Sequence, residues 1–213
     1  MTGPSPGLVI GGARVPVPGV EVVTWLDDPR IPQATDGRAR RTPPVALVLH
    51  TVHGRLGPLR PGVAPSTRAE IYARYQARTG RDVSWHLTVD TDGTVVQSAD
   101  LGTWTCWHAG QVNAWTVGLE LVQDQDGSLY AGQLDALVRL TDIICASLAI
   151  PRRVPADAQG RPIRGVTPRL EGAARPWLGV FGHRHQTHSR GAGDPGDHPF
   201  LALLAAGYQG VVL

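Results

Sequence analysis

Histidine and aspartate side chains near the C-terminus have the types and spacing needed to bind a metal ion. In the segment FGHRHQTHSRGAGDPGDHPF, His183 is followed eleven residues later by Asp194, which opens an Asp-Pro-Gly turn that stiffens the loop. Two imidazoles and one carboxylate would leave a fourth zinc position for water, as in catalytic zinc sites. Zinc lowers the pKa of such a water to about 7 and polarises a carbonyl group. The alternative is a polar loop in which Asp194 only caps the turn.

His50 is a further candidate, because it ends the apolar run VALVLH that begins at Val45. This run predicts a buried strand that ends at His50. A histidine at the end of a buried strand can be a ligand, but it can also be a hydrogen-bonded residue at the rim of the sheet. Three other histidines receive no role, namely His53, His185 and His198.

The elements that must position these side chains follow from the hydrophobic pattern. Asp92-Gly93 between two apolar runs predicts a hairpin, and residues 116–123 alternate in a way that predicts a strand with Gly118 and Glu120 on one face. The run WLGVFGH predicts a short strand that delivers His183. Capping signals and apolar residues at intervals of three and four predict helices over residues 67–79, 134–148 and 197–207. Strands followed by covering helices predict an α/β fold, a single domain with a central mixed β-sheet flanked by helices.

The domain organisation is predicted from composition. Residues 1–44 are rich in Gly, Pro and Arg and predict an N-terminal arm, in which Leu8–Ile10 and residues 20–25 are candidate edge strands. Residues 45–213 would form the main domain. Residues 151–176 are Pro- and Arg-rich and predict an irregular insertion.

Composition excludes several classes of function. A chain of 213 residues that is 42% hydrophobic suits one buried core, and a net charge of +2 is too small to indicate nucleic-acid binding. All 20 basic residues are arginine, so a mechanism that requires a lysine ammonium is excluded. Cys106 and Cys145 have no metal-binding spacing and predict two reduced thiols.

The N-terminus and the apolar runs give an expectation for localisation. The start MTGPSPGLVIGGA lacks the basic residues and long apolar stretch of a secretion signal, and no run reaches the roughly 20 apolar residues of a membrane span. We therefore expect a protein without membrane insertion that is cytoplasmic as synthesised. We also expect a monomer.

Four short blocks in series resemble the type 2 N-acetylmuramoyl-L-alanine amidases, the family that includes peptidoglycan recognition proteins and phage amidase lysozymes. They are VLH ending at His50, VSWHLTVDTDGTVVQ, WHAGQVNAWTVGLELVQ, and GH at His183 with DPG beginning at Asp194. The resemblance implies a zinc amidohydrolase with a mixed sheet and a groove for the glycan and its peptide. Peptidoglycan or muropeptides would be the substrate.

The resemblance also implies roles for individual residues. The ligands of one zinc ion per chain would be His50, His183 and Asp194. Glu120 matches the catalytic glutamate, which would take a proton from water and give one to the leaving amine. The alternative is an exposed strand carboxylate.

The first part of the block WHAGQVNAWTVGLELVQ matches the segment that lines the substrate groove of the family. It contains Trp107, His108 and Asn113, and His108 would hydrogen-bond a substrate carbonyl. A loop histidine satisfied within the protein is the alternative. Trp85, the fourth candidate for substrate binding, stands where phage-type relatives often have a tyrosine.

The sequence departs from the family at the oxyanion site. Many relatives carry a lysine two residues before the last ligand, where this chain has Ala192. The positive charge that stabilises the oxyanion would then come from His188 or Arg190, unless zinc and Glu120 suffice.

Three functions fit these residues. The first is a zinc-dependent N-acetylmuramoyl-L-alanine amidase, either a phage-type endolysin or an enzyme that recycles muropeptides in the cytoplasm. The second is a peptidoglycan-binding protein without turnover, and the third is a zinc peptidase that acts within the stem peptide.

Overall fold

The structure is a computed structural model that describes residues 7–52, 67–123, 129–166, 176–186 and 194–213. The strands are β1 (Leu8–Ile10), β2 (Ala13–Val15), β3 (Val22–Thr24), β4 (Gly37–Ala39), β5 (Ala46–Val52), β6 (Leu87–Val89), β7 (Val95–Gln97), β8 (Trp104–Cys106), β9 (Thr116–Val122), β10 (Arg153–Ala156), β11 (Gly179–Gly182) and β12 (Gln209–Val212). The helices are α1 (Thr67–Gln76), α2 (Ala131–Ser147) and α3 (His198–Ala205), with short 3-10 helices at Gly110–Trp115 and His183–His185.

Six of these strands form a mixed sheet in the order β11, β5, β9, β6, β7, β3. The first four are parallel to one another, whereas β7 runs antiparallel to β6 through the predicted hairpin. Gly93 in that hairpin has φ of +91°, which favours glycine. The α/β class and the mixed sheet predicted from the sequence are therefore confirmed.

The two faces of the sheet are covered differently. Leu49 and Leu119 point to the face that α2 and α3 cover, and they share one core cluster with Leu140 and Phe200. Side chains alternate along a strand, so Val48 points to the opposite face. It packs there against residues of the loop that precedes β9. This second face is the one on which His50 lies.

Several boundaries differ from those predicted. Strand β5 does not end at His50 but continues to Val52, because Thr51 and Val52 pair with the neighbouring strand β9. Helix α1 ends at Gln76 rather than at residue 79, and α2 begins three residues before the predicted start. His53 lies outside the described residues.

The regions predicted to be an arm and an insertion contribute strands. Strand β3 forms an edge of the six-stranded sheet, as residues 20–25 predict, whereas β1 pairs with β2 in a separate hairpin. Within the predicted insertion, Arg153–Ala156 form β10, which pairs with β12 and buries Val154 in the main core. The irregular structure predicted there is wrong for these four residues, because their pairing partner lies far along the chain. The division at residue 44 stays a prediction.

Two further findings concern the cysteines and the helices. Cys106 and Cys145 are both buried free cysteines. No helix in the described part of the chain is long and apolar enough to span a membrane.

Candidate metal centre

Three neighbouring parallel strands bring His50, Glu120 and His183 to one level of the sheet. His50 pairs with Glu120 across β5 and β9, so both side chains lie on the face opposite to α2. On the other side of β5, Gly182 pairs with Leu49, and His183 follows Gly182 directly. His50 therefore lies between Glu120 and His183.

Asp194 reaches this group from a separate turn and is held there by backbone contacts. The backbone N–H of Thr51 donates to Asp194 Oδ1 at 2.9 Å, and the N–H of Arg184 donates to the Asp194 carbonyl at 2.7 Å. The continuation of β5 beyond His50 supplies the first of these donors. Asp194 is thus tied both to the strand that carries His50 and to the turn that carries His183.

The three groups form a compact, buried donor set. His50 Nδ1 lies 3.0 Å from His183 Nδ1, and the Asp194 oxygens lie 3.4 Å from His183 Nδ1 and 4.0 Å from His50 Nδ1. Two ligands of a tetrahedral zinc ion lie about 3.3 Å apart, given zinc–nitrogen bonds of about 2.0 Å. The spacing of these nitrogen and oxygen atoms, all within 4.8 Å of one another, suits a single divalent cation.

His108 contacts the centre from the loop that precedes β9. Its Nδ1 lies 3.0 Å from His50 Nε2, and its Nε2 lies 3.1 Å from the Thr116 hydroxyl. Burial holds the pKa of His108 well below its usual value of 6.5, so the ring is neutral. Asn113 Oδ1 accepts hydrogen bonds from the backbone N–H groups of His108 and Ala109, which fixes this loop.

The two tryptophans predicted to bind substrate differ in exposure. Trp85 is buried against Tyr72 and Val122, and its Nε1–H donates to the Thr88 hydroxyl at 2.8 Å. Trp107 is only half-buried, and the Arg38 guanidinium lies 5.5 Å from its ring centre. Of this pair, Trp107 is the one with a substantial surface open to a ligand.

The remaining predicted residues divide between the described and the undescribed parts of the chain. Glu120 is half-buried and lies on the same face of the sheet as His50. His188, Arg190 and the substituted position Ala192 lie outside the described residues. His185 points away from the centre, since its Nδ1 accepts from the Gly182 N–H and its Nε2 lies 2.7 Å from the Ile163 carbonyl.

Two residues beside the loop that carries His108 were not singled out from the sequence, the buried His86 and the half-buried Arg40. His86 accepts from the Gly118 N–H and faces the Trp104 carbonyl, and burial lowers its pKa to about 3. Arg40 donates to the carbonyls of Trp104, Ala114 and Thr116, and burial lowers its pKa to about 10. The block VSWH contained a signal for His86, whereas nothing in the sequence separates Arg40 from the other arginines.

Gln186 is a third residue that the sequence did not indicate. It follows the His183–His185 turn, and its side-chain amide donates to the Ala109 carbonyl at 2.8 Å. This bond links the turn that carries His183 to the loop that carries His108.

Comparisons with solved structures identify the fold. The Drosophila peptidoglycan recognition protein SD is 15% identical with a TM-score of 0.57, over 89% of this chain and 96% of that one. The Ph2119 endolysin of the Thermus scotoductus MAT2119 bacteriophage is 17% identical with a TM-score of 0.54, over 89% and 100%. AmpD is 18% identical with a TM-score of 0.52, over 88% and 94%. At these identities the likeness shows the fold alone.

The family is shown by the sequence itself. Comparison with curated proteins gave no match. A profile of the family described as N-acetylmuramoyl-L-alanine amidase, however, matches residues 40–197, which include every candidate ligand and Glu120. Since this match spans well over half of the chain and the fold agrees with it, the protein belongs to the type 2 N-acetylmuramoyl-L-alanine amidase family.

Proposed function

We propose that the protein is a zinc-dependent amidase that hydrolyses the bond between N-acetylmuramic acid and the L-alanine of the peptidoglycan stem peptide. The observation that carries the proposal is the buried cluster of His50 Nδ1, His183 Nδ1 and the Asp194 carboxylate. Two imidazoles and one carboxylate are a ligand set of catalytic zinc, with one position left for water or substrate. A zinc ion held there would lower the pKa of a bound water to about 7 and polarise the scissile carbonyl.

Glu120 is the residue to which we assign proton transfer. It lies beside His50 on the adjacent strand and on the same face of the sheet, so its carboxylate is close to the proposed metal position. It would take a proton from the attacking water and then protonate the leaving amine of L-alanine. Because β9 is an inner strand of the sheet, its backbone holds Glu120 in a fixed place relative to the ligands.

The developing oxyanion needs a positive partner that this chain cannot supply with lysine. We assign that role to His188 or Arg190, which lie between His183 and Asp194 in the sequence. A preorganised donor of this kind stabilises the tetrahedral transition state more than the substrate. In the alternative, zinc and Glu120 stabilise the oxyanion without a further donor. The rates of His188→Ala and Arg190→Ala distinguish the two cases.

The substrate groove is assigned to the face that carries the metal centre. Trp107 is our candidate for contact with a sugar ring or the stem peptide, because it is half-buried and aromatic faces suit such contacts. Trp85, His108 and Asn113 are buried and bonded within the protein. Their support for the groove would therefore be indirect.

Mass spectrometry of digested cell wall tests the proposed reaction. Purified peptidoglycan incubated with the zinc-loaded protein should release intact stem peptides that begin with a free L-alanine. Stem peptides that are cut internally would instead indicate a peptidase. Wall that binds the protein but releases no product would indicate a recognition protein without turnover, a function that the likeness to peptidoglycan recognition proteins keeps as the second candidate.

The biological setting is proposed as that of a phage-type endolysin. An endolysin should hydrolyse intact sacculi, whereas a recycling amidase should act only on soluble muropeptides. Rates on the two substrates, measured side by side, decide between these settings. Equal or higher rates on sacculi support the endolysin, and activity confined to muropeptides contradicts it.

A further inference from the structure

A line of buried polar groups runs from the loop before β9 to the proposed metal ligand His50. The Thr116 hydroxyl lies 2.8 Å from the Val112 carbonyl and 3.1 Å from His108 Nε2, and His108 Nδ1 lies 3.0 Å from His50 Nε2. Thr116 is fully buried, and His108 and His50 are 8% and 3% exposed. The positions of the protons in these hydrogen bonds are therefore determined by protein groups rather than by water.

The direction of each hydrogen bond follows from the first acceptor. A backbone carbonyl can only accept, so the Thr116 hydroxyl donates to Val112, and its oxygen then accepts from His108 Nε2–H. A neutral imidazole carries one N–H, which makes His108 Nδ1 the acceptor. His50 must then donate from Nε2 to His108.

This order decides which nitrogen of His50 carries a lone pair. With the proton on Nε2, the lone pair of the neutral ring lies on Nδ1, which is the atom 3.0 Å from His183 Nδ1 and 4.0 Å from Asp194 Oδ1. The opposite tautomer would place an N–H against the other ligands and would oppose a cation there. The hydrogen bond from His50 Nε2 to His108 therefore keeps the lone pair of His50 on Nδ1, where it can bind a metal ion.

We propose that His108 is a positioning residue that, together with Thr116, fixes His50 in the tautomer able to bind the metal through Nδ1. The proposal rests on the metal centre of the proposed function and replaces the substrate contact that the sequence implied for His108. Both ring nitrogens of His108 are engaged inside the protein, so its effect on substrate passes through His50.

Two pairs of variants separate positioning from packing. His108→Phe keeps a ring but removes both nitrogens, whereas His108→Asn places an amide oxygen near the position of Nδ1. Thr116→Val removes the hydroxyl with little change in volume, and Thr116→Ser restores it. If these residues only filled space, zinc affinity would not be higher with Asn than with Phe at position 108. Nor would it be higher with Ser than with Val at position 116.

The ring protons of His50 are read by nitrogen-15 NMR in the metal-free protein, and zinc affinity is measured by competition with a chelator. We expect His50 to carry its proton on Nε2 in the parent protein. Zinc affinity should fall about 10- to 100-fold in His108→Phe, as is usual when the partner of a ligating histidine is lost. It should recover to within a few-fold of the parent in His108→Asn.

The Thr116 pair keeps the test decisive if His108→Phe fails to fold. Thr116→Val should bind zinc more weakly than Thr116→Ser and shift the His50 proton toward Nδ1. A parent His50 protonated on Nδ1, or equal zinc affinities within either pair, would overturn the proposal. Because neither readout involves cell wall, a protein that binds zinc tightly but releases no stem peptide contradicts the amidase and leaves this inference standing.

Discussion

The imidazole of His108 lies directly over Gly118 on β9. A Cβ added to Gly118 would fall 2.5 Å from His108 Cγ, closer than side-chain atoms approach in folded proteins. The glycine two residues before Glu120 therefore makes the space that lets His108 reach His50. Its backbone has no positive φ, so the requirement is one of close approach rather than of conformation.

Gly118→Ala should consequently displace His108 and weaken zinc binding about tenfold or more, because the hydrogen bond to His50 is lost. The matched control is Gly132→Ala in the first turn of α2, where an added Cβ meets only the Asp92 carbonyl at 3.6 Å. That substitution should leave zinc affinity unchanged. Chelator competition on both variants checks the difference, and equal affinities would show that the close approach is unimportant.

Replacement of Glu120 by glutamine should separate proton transfer from metal binding. We expect Glu120→Gln to keep one zinc ion per chain but to release stem peptides about 10²- to 10⁴-fold more slowly, which is the usual contribution of a general acid–base. Glu21→Gln, at an exposed carboxylate, is the control and should retain the parental rate. A Glu120→Gln rate near that of the parent would rule out the assigned role.

Variants at His188 and Arg190 should locate the charge that replaces the family's lysine. Loss of the oxyanion donor should lower kcat about 10²- to 10³-fold without changing zinc content. We therefore expect one of His188→Ala and Arg190→Ala to show this loss; if it is Arg190→Ala, then Arg190→Lys should restore part of the rate. Near-parental kcat in both alanine variants would mean that zinc and Glu120 suffice.

The buried His86 should make stability depend on pH. Its pKa is about 3 in the folded protein because of burial and the nearby Arg40, against 6.5 for the free side chain. Below pH 6.5 the unfolded chain binds a proton that the folded protein does not, so stability falls by about 1.4 kcal/mol per pH unit until pH 3. His86→Asn cannot titrate but keeps an acceptor for the Gly118 N–H.

Urea unfolding of the metal-free protein at pH 7 and pH 5 measures this effect. Between these two pH values the parent should lose about 2 kcal/mol more stability than His86→Asn. The comparison cancels the titration of groups that the two proteins share. An equal loss in both proteins would show that His86 is not held neutral by the fold.

The sequence predicted those parts of the fold that local patterns determine. Alternation in β9, the Asp92-Gly93 turn and the helical repeat of α2 each lie within one short segment, so their hydrogen bonds or core contacts follow from nearby residues. The pairing of β10 with β12 joins segments that are far apart in the chain. Such a contact leaves no periodic signal in a Pro- and Arg-rich segment.

In the candidate site, too, features carried by short sequence patterns were predicted, and contacts between distant segments were not. The four short blocks in series indicated His50, His183, Asp194 and Glu120. The fold brings the first three together, with Glu120 on the strand next to that of His50. The interactions around His108 depend on how closely a loop approaches β9, which residue spacing does not reveal. Arg40 was missed because its partners are backbone carbonyls, which any sequence provides.

The zinc content of the purified protein, measured by mass spectrometry of the metal beside His183→Ala and the exposed control His198→Ala, tests the central claim most directly. We predict one zinc ion per chain and release of stem peptides in the parent and in His198→Ala, and loss of both in His183→Ala. Stoichiometric zinc in His183→Ala, or a parent that releases stem peptides after its metal has been removed, would contradict the account.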